Sequence, residues 1–414
     1  MVNASSPHLF FSQPESPRRA VRIIPVFIPF AGCRERCIFC AQEKQTGVML
    51  RSVQSCIDEL AQKITTFSAQ LPHVCMSDNV MCTAKEKKNE KSYQLTEEIS
   101  TVAQNNQAMQ CLQNVTQVSD CCSENAFEVA FFGGTFTSMK DKDQFSLLEL
   151  ANNAKQQGAV FRIRCSTRPD AITPRHLHRL KQSGLDMVEL GIQSFSNAAL
   201  VASRRGYVSD VALDACHMVQ DAGLQLGIQL MPGLPGHTTR AALEDCRIAA
   251  NLQPDNVRLY PCLVFDDTPL AELWRKGEFS PWSLDETVCF LAEVVPRFWQ
   301  EGIAVIRMGI APEPAAIEHI LAGPYHPALG SMVRGQAVFA LVSRQVEAFR
   351  RLHPCSTRPD APLQLQVPRR HQGEFWGHRA NLVPAYASLG ISREQVLWTD
   401  DRQFCLSRAS DLTP

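Results

Sequence analysis

The chain is expected to fold as α/β, with a parallel sheet curled into a partial (β/α)6 barrel of the TIM type and a carboxy-terminal extension beyond it. Three observations point there. Short apolar runs recur at 23–28, 128–132, 160–165, 187–190, 224–230 and 256–260, each the length of one buried strand. Helical patterns separate them over about 48–70, 143–157, 174–183, 208–222 and 238–252. Gly223 stands where a helix should end just before its strand. Such regular alternation makes a parallel sheet, and six units suggest a full or partial barrel.

With 414 residues the chain can bury a large core, which excludes a minimal disulfide-stapled scaffold. Its formal net charge of -1 leaves no chain-wide footprint for nucleic acid or anionic membrane, so any such partner must meet a local patch. Residues 1–20 are polar and proline-bearing and read as a disordered amino-terminal segment. No run of about eighteen apolar residues occurs. A cytoplasmic protein without membrane contact is expected. In that compartment the 16 cysteines are free thiols and metal ligands rather than a disulfide framework.

Taken in order, the strands end on motifs. The first runs into Cys33-Arg-Glu-Arg-Cys37-Ile-Phe39-Cys40. Three thiolates at CxxxCxxC spacing on one loop can hold three irons of a cubane and leave the fourth without a protein ligand. A tetrahedral zinc site needs a fourth ligand, and no second CxxC or HxxxH pair stands near. Residues 73–125 then delay the second strand. They lack glycine and proline, hold Cys75, Cys82, Cys111, Cys121 and Cys122 without zinc spacing, and read as a partly disordered insertion. The second strand ends on Phe131-Phe-Gly133-Gly134-Thr135-Phe-Thr137, where paired glycines let a ligand approach the backbone closely. Ser166-Thr-Arg-Pro-Asp170 ends the third. Glu189-Leu-Gly-Ile-Gln193-Ser-Phe195 ends the fourth, with Ser203-Arg-Arg205-Gly-Tyr207 behind it. Gly227 to Gly236 supplies the fifth strand and a rigid Pro/Gly turn that opens a helix.

In the sixth strand Arg258 and Tyr260 either face a ligand or follow ordinary strand alternation, and Arg307 in the late run 305–309 stands the same way. After Ile310 proline-rich stretches break the rhythm, so 21–310 reads as the core barrel and 311–414 as a separate extension. The string Cys165 to Ala171 recurs there as Cys355 to Ala361, too short to mark a repeat architecture. Val367-Pro-Arg-Arg-His-Gln-Gly373 and Phe375-Trp-Gly-His378 interleave basic and aromatic residues. That pattern either grips phosphate and stacks on bases or packs within a solvated loop.

From residue 23 to 310, the insertion excluded, these motifs resemble the radical S-adenosylmethionine (radical SAM) enzymes. The branch is that of the Elongator catalytic subunit and oxygen-independent coproporphyrinogen III oxidase. The resemblance implies that Cys33, Cys37 and Cys40 hold a [4Fe-4S] cluster whose open iron is chelated by the methionine end of S-adenosyl-L-methionine. One electron then cleaves the sulfonium to a 5'-deoxyadenosyl radical. It further implies Phe39 beside the adenine, Gly133, Gly134 and Thr135 at the methionine amino group, Gln193 on the ribose side and Arg205 near the carboxylate. Porphyrin-type members carry acids where Gln229 and Ser166 stand, which speaks against porphyrin decarboxylation. Ser166 to Asp170 resembles the Elongator branch instead, although no recognisable acetyltransferase domain follows. The implied enzyme acts on an unidentified small-molecule or RNA substrate, with an electron donor such as flavodoxin or ferredoxin, and no residue is assigned as catalytic. The alternatives are a tRNA-modifying enzyme of the same chemistry and an iron-sulfur redox protein without it.

Overall fold

The computed structural model describes residues 8–15, 21–68, 126–353 and 362–408. The insertion at 73–125 and the second Ser-Thr-Arg-Pro-Asp string lie outside these residues. In chain order the first elements are β1 (Leu9–Phe11), β2 (Arg22–Phe27), α1 (Gln42–Thr46), α2 (Val53–Ser68), β3 (Phe127–Phe132), α3 (Asp141–Gln156), β4 (Val160–Thr167), α4 (Pro174–Gln182) and β5 (Met187–Gln193). Next come α5 (Asn197–Ala202), α6 (Ser209–Asp221), β6 (Gln225–Leu230), α7 (Thr239–Asn251), β7 (Asn256–Leu259), β8 (Val264–Phe265), α8 (Pro269–Arg275), α9 (Leu284–Gln300) and β9 (Ala304–Met308). Last are α10 (Pro314–Ile317), β10 (Ile320–Ala322), α11 (Leu329–Leu352), β11 (Leu363–Pro368), α12 (Val383–Ser388), β12 (Val396–Thr399) and β13 (Phe404–Arg408).

Seven parallel strands in the order β2-β3-β4-β5-β6-β7-β9 make the barrel sheet. Their spatial order follows the chain, so each crossover lays a helix on the outer face and the sheet curls into an open barrel. Ile24, Val129, Ile163, Val188, Ile228 and Val257 face those helices and form one buried core. Each such side chain contributes roughly 1.5–3 kcal/mol. The residues between them point inward. The sheet exceeds the expected six strands by one because α9, opened by the Ser283 and Glu286 capping box, returns the chain to the sheet edge as β9.

The helix expected over 48–70 is α2, and the short α1 precedes it. Gly47 ends α1 in the left-handed region at φ 67°, and a Cβ there would lie 3.1 Å from the Ala315 Cβ. The chain then runs extended past Arg51, whose Nη2 donates to the Phe27 carbonyl at 2.9 Å, before α2 begins.

Beyond the barrel the chain builds a second sheet, β1-β13-β11-β12. The reading of residues 1–20 as disordered fails at 9–11. There Leu9 pairs with Leu406 and Phe11 with Phe404 in an antiparallel ladder, and the Phe11 and Phe404 rings stack at 5.1 Å. A three-residue strand is too short to show a period, and its partner lies almost a whole chain length away. The aromatic residues of the tail pack: Phe375 is fully buried and stacks on Tyr386 at 4.4 Å, and His371 is buried against Phe404, while Arg369 and Arg370 stay exposed. The two cores meet along α11. Leu329, Val333 and Ala337 belong to the barrel core, and Val338, Val342, Val346 and Phe349 to the second.

Candidate functional site

The loop after β2 and the Gly-Gly turn after β3 are docked back to back. Gly134 has φ 61°, and a Cβ on it would stand 2.1 Å from the Ala31 carbonyl oxygen. Gly32, at φ 74°, would meet the Thr135 oxygen at 2.2 Å. The approach is close because Thr135 N donates to Ala31 O at 2.6 Å. Gln42, at the start of α1, joins the loops: its Oε1 accepts from Phe30 N at 2.6 Å and from Gly134 N at 2.9 Å. Replacing Gly134 with Ala is expected to cost at least about 1–2 kcal/mol from the left-handed backbone alone, with the clash added. A lower urea midpoint and faster proteolysis within 30–40 would register it.

Behind this seam lies a cavity of about 590 Å³ at the carboxy-terminal ends of the strands. Cys33, Cys37 and Cys40 line it, and so do Phe39, Gly133, Gly134, Gln193 and Arg205. Thr135 stands behind the wall, with its Oγ1 3.3 Å from Cys33 Sγ. Arg205 Nη1 donates to Cys37 Sγ at 2.9 Å, and Arg168 Nη1 reaches the same sulfur at 3.6 Å. Both guanidiniums are anchored from behind. Arg205 donates to Gly191 O and, at 2.9 Å, to Tyr207 Oη, which in turn donates to Ile192 O at 2.8 Å. Asp170 forks Arg168 at 2.9 and 2.7 Å. Burial lowers the pKa of Arg205, but Tyr207 and Cys37 outweigh it and hold the pKa above its ordinary value.

Gln193 takes φ 71°, a conformation a glutamine holds only when its surroundings enforce it. Gln229 Nε2 donates to its side-chain oxygen at 3.2 Å, and Met231 N to its carbonyl at 2.8 Å. Below it the inward residues form an ionic chain across the strands. Glu128 pairs with Arg162 (Nε to Oε2, 2.7 Å) and Arg164, and Glu189 pairs with Arg164 and Arg258 (Nε to Oε1, 2.9 Å). Arg258 Nη1 donates to Tyr260 Oη at 3.0 Å, and the Arg164 and Arg258 guanidiniums each lie 5.0 Å from the Phe132 ring.

The sequence family described as the Radical SAM superfamily matches residues 27–247, more than half of the chain. The chain belongs to the radical SAM superfamily. A second family, the radical SAM C-terminal domain, matches 254–337. Among curated relatives, a tRNA uridine(34) acetyltransferase of Methanocaldococcus infernus is 29% identical over 196 residues, 41% of this chain and 36% of that protein. Elongator complex protein 3 of Mus musculus is 32% identical over 140 residues, 32% of this chain and 26% of that protein. The chain thus spans between about a quarter and little more than a third of the length of these curated relatives. Among solved structures, coproporphyrinogen III oxidase from Escherichia coli aligns over 78% of this chain and 59% of that one, with 16% identity and a TM-score of 0.41.

Radical SAM enzymes use a [4Fe-4S] cluster and S-adenosylmethionine, and the donor set here fits them. The three cysteines are free thiols on one cavity wall. Burial and the charges of Cys37 and Cys33 push the Cys40 thiol up to about 12, and burial raises Cys33 against the help of Thr135. Sulfurs crowded in this way gain most from cationic iron, which must bind them deprotonated. Among the described residues no three His, Cys, Asp or Glu side chains are grouped closely enough to hold a single metal ion. Sequence reasoning missed Gln42, Arg168, Tyr207 and Glu189. Arg168, Glu189 and Tyr207 stand within strings that the sequence singles out, without a role being read from them, and Gln42 had no signal.

Proposed function

We propose that this radical SAM chain abstracts hydrogen from a substrate held in the same cavity as its cofactors. The observation that carries this reading is one cavity shared by Cys33, Cys37 and Cys40 with Gly133, Gly134, Gln193 and Arg205. When bound, the cluster supplies one electron and S-adenosylmethionine the 5'-deoxyadenosyl group that becomes the radical. Cys33, Cys37 and Cys40 would hold the cluster, and the Arg205 and Arg168 guanidiniums reach the Cys37 sulfur and fix its place on the wall. Phe39 would cover the adenine, the Gly133 to Thr135 turn would take the methionine amino group, and Gln193 and Arg205 would meet the ribose and carboxylate. The Phe27 and Phe132 rings, stacked at 5.5 Å, give the same cavity an apolar wall.

A cytoplasmic setting keeps the described thiols reduced, and a flavodoxin or ferredoxin serves as reductant. Anaerobic reconstitution should load about four irons per chain and give reductive cleavage of S-adenosylmethionine; a folded protein that does neither overturns the proposal. A redox protein without this chemistry would keep its spectrum unchanged when S-adenosylmethionine is added. The relatives' names favour a second reading, a tRNA substrate. It requires tRNA binding that weakens with salt and is lost when Arg369 and Arg370 are replaced by Ala.

A further inference from the structure

The ionic chain across the barrel interior does not balance. Arg162, Arg164 and Arg258 share two carboxylates, Glu128 and Glu189. At its open end β7 and β9 lie in parallel register with Arg258 directly beside Arg307. Like charges opposite one another on neighbouring strands destabilise a sheet unless something neutral or negative lies between them. Arg307 has no carboxylate partner among the described residues; its Nε donates to the Gly309 carbonyl at 3.2 Å, which leaves the rest of its fork free. The same cavity that the cysteines line is also lined by both arginines and by Tyr260. Its own two lining carboxylates, Glu35 and Glu313, are exposed at the rim and pair with neither. Counted along the ionic chain with its neighbour, Arg162, Arg164, Arg258 and Arg307 share two carboxylates, Glu128 and Glu189, and the excess sits at β7 and β9, on strands other than those that carry the cysteines, Gln193 and Arg205.

We propose that Arg258 and Arg307 form a receptor for an oxyanion, a phosphate or a carboxylate, carried by the substrate. Glu189 and Tyr260 hold Arg258 in place, so it presents its charge with little freedom left to lose. Arg307 is the adaptable half, tethered by one backbone contact. An oxyanion between the two guanidiniums accepts charge-assisted hydrogen bonds from both and cancels the excess charge of the wall. The inference rests on reading this cavity as the active site and narrows its substrates to anionic molecules.

Calorimetric titration of the full chain with inorganic phosphate, succinate and methionine tests it, and requires no iron, so a failure of cluster loading leaves the result intact. Phosphate or succinate should bind, Arg307→Met should weaken that binding about tenfold or more, and Arg307→Lys should retain most of it. Arg307 makes a single hydrogen bond, so both variants should melt with the parent chain. A preference for phosphate identifies a phosphorylated substrate, and a preference for succinate a carboxylic acid. Binding of neither anion, or equal binding by Arg307→Met, overturns the proposal. So does a loss confined to methionine, the amino-acid end of the cofactor with its carboxylate, because Arg307 would then serve the cofactor.

Discussion

Cys37→Ala is expected to yield a folded chain that retains far less than one iron where the parent retains about four, and that no longer cleaves S-adenosylmethionine. The fold should persist because the two arginines on the Cys37 sulfur do not depend on it. Arg205 keeps Gly191 O and Tyr207, and Arg168 keeps Asp170 and the Arg205 carbonyl. The lost contact is worth about 1 kcal/mol, within reach of a urea titration. Iron analysis set beside that titration separates the two effects. If iron were retained in full, Cys37 would not be a ligand, and if the chain failed to fold, the sulfur would be structural.

Glu189→Gln should produce the opposite pattern. Glu189 is buried and is shared by Arg164, which is 2% exposed, and by Arg258, while Ser166 Oγ donates to its second oxygen at 3.2 Å. An amide of the same shape removes the charge but leaves both guanidiniums inside the barrel. A buried pair broken from one side costs about 3–5 kcal/mol, because the remaining charge cannot recover its water. Arg164 already feels this pressure: burial lowers its pKa, with Arg258 and Arg162 adding to the effect and Glu189 and Glu128 opposing it. The urea midpoint should fall with little change in slope, while Cys33, Cys37 and Cys40 still load iron in the folded fraction. Glu189→Ala should cost more, since it also opens a void. An unchanged midpoint in Glu189→Gln would mean that the guanidiniums find other partners.

The six barrel strands and the motifs at their ends were readable because each strand is a local apolar run and each motif a local string. The ionic chain was not. Glu128, Arg164, Glu189 and Arg258 occupy four strands, and nothing within any one strand tells whether an inward charge meets an opposite charge two strands away. Gln42 was invisible for a similar reason, since its partners, Phe30 and Gly134, are brought together only when two loops dock. Gln193 was singled out by resemblance, but its left-handed backbone follows from its place at a register shift between β5 and β6. The small sheet escaped notice because its strands are short and its first member pairs across nearly the whole chain.

The helix Leu329–Leu352 sets how this molecule comes apart. Its first turns fill the barrel core and its later turns fill the core of the small sheet, without a break between them. Neither half can melt and leave the other whole, since unwinding the rod at one end withdraws valines from the other. Heating should therefore be read in calorimetry as one transition instead of two. A cut near residue 310, where the change of rhythm in the sequence invites one, would release no intact barrel.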